Sequence, residues 1–359
     1  MAPASASRTQ THRLFFAAAA IQAALSVVIW AFAPPDTATP AGWHAHELLF
    51  GYASAVIAGF LFAKTSRPVV LLVLLLWAAA RVAWIFPVSP AVAAGLSVSA
   101  TAAISGISAR GFLRGAKQVR NFVFPLLLGL LLCCDLLSQM HVFGMAEGME
   151  RAAILLAIYI VVALILVMGG RIAGAAFSGL NQRAGGARIA PRLGLERILP
   201  FLVGGVAVAA AADGFPALLA ICAWLAAGVI CLRMLDWLPA LRLAGPDLWG
   251  LAAAQVFIAA GLTGIGLQPF GPGWSATAPL HLLTIGGIGI ATVTMMLKTT
   301  AQRERQEPGR RLMTTAVLLL GFAAVVRAMA EGVGPTAYAI AAIAWCAAML
   351  CCLARMLRR

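Results

Sequence analysis

The sequence predicts an all-α polytopic integral membrane protein, from its composition, its long apolar runs and the charges of its loops. Of 359 residues, 62% are hydrophobic and 11% are charged, and the mean hydropathy is +0.95. Soluble domains are about 45–50% apolar and about 25% charged, so this composition excludes a soluble, disordered, collagen-like or disulfide-rich secreted chain. Because a membrane span takes about 20 apolar residues, twelve spans leave only short loops. The chain is therefore predicted to be a single membrane domain, 1–359.

Apolar runs, cut at charges and at proline or glycine clusters, predict twelve membrane-spanning helices. They cover residues 14–33, 44–63, 69–86, 90–109, 121–140, 151–170, 198–212, 216–232, 248–267, 278–297, 312–329 and 334–354. The longest segment between them, 171–197, would divide the chain into two six-helix halves, 14–170 and 198–354.

The distribution of basic residues predicts how the chain is oriented in the membrane. All 26 lysines and arginines except Arg81, Arg151 and Arg327 fall in the terminal segments and the alternate loops that share a side with the amino terminus. Cytoplasmic loops of membrane proteins carry an excess of lysine and arginine. Both termini are therefore predicted to be cytoplasmic, and the net charge of +14 is assigned to these loops rather than to a nucleic-acid-binding surface.

Ionisable side chains within the spans point to a functional site. Each costs about 2.5–3.5 kcal/mol at the centre of a helix, so such residues need partners and mark function by default. With the predicted topology, this set falls in the outer third of the membrane: His44, His46, Glu47, Arg81, Asp135, His141, His281 and Arg327. We therefore predict one polar, liganded site that opens toward the non-cytoplasmic side.

Structural roles are the alternative for the same residues. The histidines of the second span could cap its helix, His281 could be a satisfied core histidine, and the four other charges could form two structural ion pairs. His141, with the outer-loop residues Met140, Met145 and Met149, has the composition of a soft-metal patch, but the alternative is that it is part of an ordinary loop. The stripe of small residues Gly51, Ala55 and Gly59 predicts close approach by another helix, and the glycines after His281 predict a thin surface for a helix or a flat ligand.

Three segments resemble motifs of the NnrS family. Residues 43–51 (WHAHELLFG), followed by 57–61 (IAGFL), resemble the signature of that family. Residues 169–171 (GGR) and 281–289 (HLLTIGGIG) are similar to two further motifs of it. The resemblance implies a twelve-span protein of the bacterial inner membrane that is linked to haem, copper and the response to nitric oxide.

Other segments depart from the family pattern. Residues 172–175 (IAGA) replace the usual proline and Phe-Thr after GGR, and 251–255 (LAAAQ) replace a stretch that commonly carries a histidine and a tyrosine. Residues 302–306 (QRERQ) replace the usual Gly-His-Thr-Gly-Arg. If those missing groups hold a second metal in the family, this divergent member carries one centre instead of two.

The resemblance also implies roles for the candidate residues. A haem between helices needs neutral imidazoles as axial ligands, which His44, His46 and His281 could supply. Arg81 and Arg327 could pair with the haem propionates, Glu47 could orient a ligand, and Asp135 could pair with an arginine or relay protons. Copper has fewer candidate ligands, namely His141 and the nearby methionines.

The resulting hypothesis is a haem-binding inner-membrane protein of the nitric-oxide or nitrosative-stress response. It would act as a metal-site scaffold, a sensor or a weak redox catalyst, with the lipid bilayer and nitric oxide or another small ligand as partners. Two alternatives remain open: a proton-coupled transporter that uses the intramembrane charges, and a non-catalytic subunit of a membrane complex.

Overall fold

The computed structural model of the protein describes residues 11–32, 41–86, 88–114, 122–145, 148–271, 275–307 and 309–358, and these residues form helices joined by short turns and loops. Within these ranges there is no strand, and twelve helices follow one another. They are α1 (Thr11–Phe32), α2 (Gly42–Lys64), α3 (Arg67–Ala83), α4 (Pro90–Arg114), α5 (Val123–Gln139), α6 (Met149–Arg183), α7 (Leu193–Ala212), α8 (Pro216–Leu241), α9 (Pro246–Phe270), α10 (Thr277–Arg303), α11 (Arg310–Val333) and α12 (Pro335–Leu357). Each lies where the sequence predicts a helix.

Ten of the described helices are long and apolar enough to cross a membrane, which confirms the all-helical membrane fold. The exceptions are α3 and α5, which have 17 residues each. At 1.5 Å per residue such a helix is about 26 Å long, against about 30 Å for the hydrocarbon core of a bilayer. The count of twelve membrane-crossing helices and the cytoplasmic placement of both termini therefore stay predictions.

The linker predicted at 171–197 is much shorter in the structure, because α6 continues to Arg183 and α7 already begins at Leu193. A charged residue such as Arg171 ends an apolar run but does not end a helix. The stop signal is Gly185, which has a positive φ of 83°, while the Gly186 amide donates to the Asn181 carbonyl, as in a glycine-terminated helix end. The added turns are packed, since Phe177 is fully buried and stacks on Trp237 of α8 at 4.9 Å.

The chain forms two compact units. The first contains residues 1–158, 299–306 and 352–359, and the second contains 159–298 and 307–351. The first unit therefore includes α1 to α5 and the beginning of α6, and the second includes α7, α8, α9 and α11. The predicted division into halves 14–170 and 198–354 stays a prediction.

Glycines allow close helix packing in both units. In the first, a Cβ on Gly51 would lie 3.1 Å from Gln22 of α1, and one on Gly59 would overlap Phe16 of α1, so the predicted stripe on α2 does face another helix. In the second, Gly286 and Gly289 of α10 lie against Phe257 of α9 and Trp345 of α12. Side chains of neighbouring helices, rather than an open surface, therefore cover these two glycines of α10.

Replacing Gly261 of α9 with alanine is expected to destabilise the protein by about 1–3 kcal/mol. The added methyl would lie 2.8 Å from the Pro279 carbonyl oxygen and 3.0 Å from the Leu283 nitrogen, and backbone atoms cannot rotate away. Gly228→Ala in α8 is the matched control, because no atom lies within 4 Å of its added Cβ, and alanine is the better helix former by about 1 kcal/mol. Thermal unfolding in detergent would measure both variants. Equal losses of stability would contradict the packing argument.

Candidate functional site

Glu47 and Arg81 form a buried ion pair in the first unit. Their side chains are 1% and 4% exposed, and Arg81 Nη1 lies 2.7 Å from Glu47 Oε1. The second carboxylate oxygen accepts a hydrogen bond from Gln22 at 2.5 Å, and Arg81 Nη2 donates to Ser97 Oγ at 2.8 Å. The pair thus joins the beginning of α2, the end of α3, the beginning of α4 and the middle of α1.

His46 and Asp135 form a second buried contact beside this pair. His46 Nε2 lies 2.9 Å from Asp135 Oδ1, and Asp135 is fully buried. Thr101 Oγ1 donates to the other Asp135 oxygen at 2.6 Å, while Gln139 contacts the same ring nitrogen at 2.6 Å. His46 Nδ1 faces Glu47 Oε1 at 3.4 Å, so both ring nitrogens of His46 lie next to carboxylates.

We call Glu47, Arg81, His46 and Asp135 the four-charge cluster. Its two carboxylates face one guanidinium, so its net charge is −1 with a neutral His46 and zero when His46 carries a proton. An unbalanced charge inside a membrane domain is costly. The cluster therefore holds an ion pair beside a histidine whose protonation would balance the remaining charge.

A widened helical turn follows each of the two motif histidines. Residues Glu47–Ala53 after His46 and Leu282–Gly289 after His281 are π-helical, a rare conformation that is frequent at functional sites. The sequence does carry a signal for it, since a glycine stands five residues after each histidine, at Gly51 and Gly286.

Nearby donors satisfy the carbonyls that such turns release from the regular helix ladder. Trp77 Nε1 donates to the Gly51 carbonyl at 3.0 Å, and Ser54 donates to the same oxygen at 3.2 Å. In α10, Thr292 donates to the Gly289 carbonyl at 3.0 Å. Helices α2 and α10 thus share a local arrangement. A π-helical turn follows the histidine, and a hydroxyl donates to the carbonyl of a glycine three residues before it.

His281, in the second unit, has a different environment from His46. Its Nδ1 lies 2.8 Å from the main-chain carbonyl oxygen of Thr277. A carbonyl only accepts hydrogen bonds, so Nδ1 carries the proton and the lone pair is on Nε2. This is the tautomer that a metal-binding histidine uses when its other nitrogen donates to the backbone.

Cationic and acidic side chains of α11 accompany His281. The guanidinium of Arg327 lies 4.5 Å from the centre of the Tyr338 ring. Its Nη1 is buried without a hydrogen-bond partner in the described part of the chain. Glu331 accepts a hydrogen bond from Thr277 Oγ1, and both Arg327 and Glu331 interact electrostatically with His281.

The predicted site residues thus fall into two groups. His46, Glu47, Arg81 and Asp135 lie together in the first unit, whereas His281 and Arg327 belong to the second. His44 also lies in the first unit, with its ring 4.8 Å from that of Trp30. His141 lies in the short turn Met140–Phe143, but its side chain is outside the described part.

Among the described residues, no group of three or more His, Cys, Asp or Glu side chains is placed to hold a metal ion.

A comparison with protein families supplies the identification. The family model described as NnrS protein matches residues 7–359, nearly the whole chain. The chain belongs to the NnrS family. A comparison with individually curated proteins finds no match.

This NnrS-family protein has a buried polar cluster in its second unit that sequence reasoning missed. Arg233 of α8 forms a two-point contact with Glu196 at 2.8 and 2.7 Å, and its Nη1 donates to Gln255 and to the Leu166 carbonyl, each at 3.3 Å. Gly170 of the GGR motif packs directly against it, because a Cβ there would lie 3.2 Å from Arg233 Nη2. Gln255 stands within the stretch that departs from the family pattern, and here it is a partner of a guanidinium.

A second departure from the family pattern, residues 302–306, also has a structural role. In the first unit, Arg303 donates to the carbonyls of Gly59 and Phe60 at 3.2 and 3.0 Å and so satisfies the end of α2. Glu304 accepts from Arg13 at 2.6 Å and from Arg355 at 2.8 Å. In this NnrS-family protein the segment therefore ties helices together.

Proposed function

We propose that this NnrS-family protein binds haem through His281 and acts in the nitric-oxide or nitrosative-stress response of a bacterial inner membrane. The observation that carries the proposal is the state of the His281 ring, which donates Nδ1–H to the Thr277 carbonyl and keeps a lone pair on Nε2. A haem would take this nitrogen as an axial ligand and would supply the iron at which a diatomic gas binds.

The candidate residues differ in how well they suit haem. Both arginines have a buried guanidinium nitrogen without a hydrogen-bond partner in the described part of the chain, Nη1 of Arg327 and Nε of Arg81, and such a donor suits a propionate carboxylate. Arg81 already pairs with Glu47 and Ser97, and both ring nitrogens of His46 face carboxylates. We therefore propose His281, rather than His46, as the haem ligand and assign the four-charge cluster to charge balance. Copper has no comparable support among the described residues and stays a prediction.

The absorption spectrum of the detergent-purified protein, oxidised and reduced, tests the proposal, with iron and copper measured on the same sample. We expect a Soret band that shifts on reduction and about one iron per chain. A colourless, iron-free preparation from haem-replete cells would contradict haem binding by this protein.

Proton-coupled transport is the second candidate, and the four-charge cluster favours it. A buried histidine next to a carboxylate at 2.9 Å is an arrangement found in proton relays of membrane pumps and transporters. Proton flux into proteoliposomes under an imposed potential would test it, with Asp135→Asn as the variant and Asp236→Asn as the control. Equal flux in the wild type and in empty liposomes would exclude a proton conductor. Co-purification with other membrane subunits would instead favour a subunit role.

A further inference from the structure

The first turn of α10 is held by an acidic residue from another helix. Glu331, near the end of α11, accepts a hydrogen bond from the Thr277 hydroxyl. Ser275 in turn accepts from the amides of Thr277 and Ala278, at 3.2 and 3.0 Å, as a serine does at the start of a helix. Glu331 therefore contacts the first residue of α10, at an exposed position.

The same turn determines which nitrogen of His281 carries a proton. The Thr277 carbonyl accepts the Nδ1 hydrogen bond, and the regular helix ends at His281, where the π-helical turn begins. A loss of order in this turn would release the imidazole ring.

We infer that Glu331 is a positioning residue for His281, acting through Thr277. By holding the Thr277 side chain it keeps the Thr277 carbonyl against Nδ1, so that Nε2 stays unprotonated and points its lone pair at a ligand. Glu331 also stands one helical turn after Arg327 and interacts electrostatically with Arg327 and with His281, so the same carboxylate acts on both residues assigned to the haem. The identity of the ligand in this inference, a haem, rests on the proposed function. The tautomer of His281 does not depend on it.

The tautomer can be measured without any cofactor. We would label the metal-free protein with ¹⁵N-histidine and assign the His281 signals in solid-state NMR spectra by their loss in His281→Ala. The expected wild-type pattern is a protonated Nδ1 and an unprotonated Nε2. Glu331→Ala and Thr277→Val should each give a mixture of tautomers. Glu331→Gln should keep the wild-type pattern, since its amide oxygen can still accept from Thr277.

Haem affinity is the second readout. Loss of a group that orients a metal-binding histidine typically lowers affinity 10–100-fold, and we expect this fall for Glu331→Ala in a titration with haem. The double variant Glu331→Ala/Thr277→Val should lose no more than either single variant, because both substitutions break one contact. Asp236→Ala is the matched control, since it removes an acidic partner of exposed Arg192 in the same unit.

The outcomes separate the two proposals. Unchanged His281 tautomer signals in Glu331→Ala and Thr277→Val would overturn the positioning role, whether or not haem binds. If Glu331→Gln gives the same mixture of tautomers as Glu331→Ala, the hydrogen bond from Thr277 to residue 331 does not position His281. A wild type that binds no haem but shows the expected NMR changes would overturn the proposed function and leave the positioning role supported.

Discussion

Replacing Arg81 with methionine is expected to lower the free energy of unfolding by about 3–5 kcal/mol, because it leaves a buried charge without its partner. Glu47 is 1% exposed and lies 2.7 Å from Arg81, so no water can take the place of the guanidinium. Gln22 still donates to one carboxylate oxygen, but a neutral amide does not balance a charge. Ser97 also loses the donor at its hydroxyl.

Reversible unfolding in detergent micelles would measure this loss. Arg192→Met is the matched control, because Arg192 and Asp236 also approach to 2.7 Å, here in a two-point contact, but with side chains 52% and 24% exposed, and such surface pairs contribute about 0–1 kcal/mol. The double variant Glu47→Gln/Arg81→Met should lose less than the sum of the two single variants, since it removes both charges. Equal losses in Arg81→Met and Arg192→Met would refute the buried ion pair.

Replacing His281 with alanine is expected to remove the Soret band and the bound iron completely. The proposed function gives the haem one protein ligand in the second unit, and alanine has no group to replace the imidazole. Arg327→Gln should keep the band but weaken haem retention, because it removes the cation assigned to a propionate and leaves the ligand in place.

The control for this experiment is another buried histidine, His12 of α1, whose ring packs against Phe16 at 5.9 Å. His12→Ala should keep the full Soret band at an equal level of expression. His46→Gln should keep it too, since both nitrogens of His46 already face carboxylates. A full band in His281→Ala, or a band lost in His46→Gln with the fold intact, would move the ligand to the first unit.

Much of the fold could be predicted because hydropathy is a property of single residues summed along the chain. Every predicted helix is present among the described residues, and α4, α8 and α12 begin at prolines, where the missing amide proton is not needed. The error at 171–197 came from treating a charge as a helix end. Only Gly185, with its positive φ, carried the true stop signal.

The candidate site was predictable as a set of residues but not as a set of contacts. Charge in an apolar helix marked Glu47, Arg81 and Asp135, because burying a charge costs energy in any fold. The neutral partners Gln22, Ser97 and Gln139 were not predicted, since single polar residues are common in membrane helices. Gln139 stands four residues after Asp135, a spacing that places both on one face of α5, and that signal could have been used.

The sequence by itself determined the helices, the residues too polar to lie in a membrane without partners, and the family, since these follow from local composition and short motifs. Only the tertiary structure decided that His46 meets Asp135 across 89 positions of the chain, and that Arg81 meets Glu47 across 34 positions. The physical reason is that a hydrogen bond needs a donor and an acceptor within about 3 Å. The rotation of each helix, its wide turns and its glycine contacts with other helices set that distance. No short segment of the sequence specifies all of these.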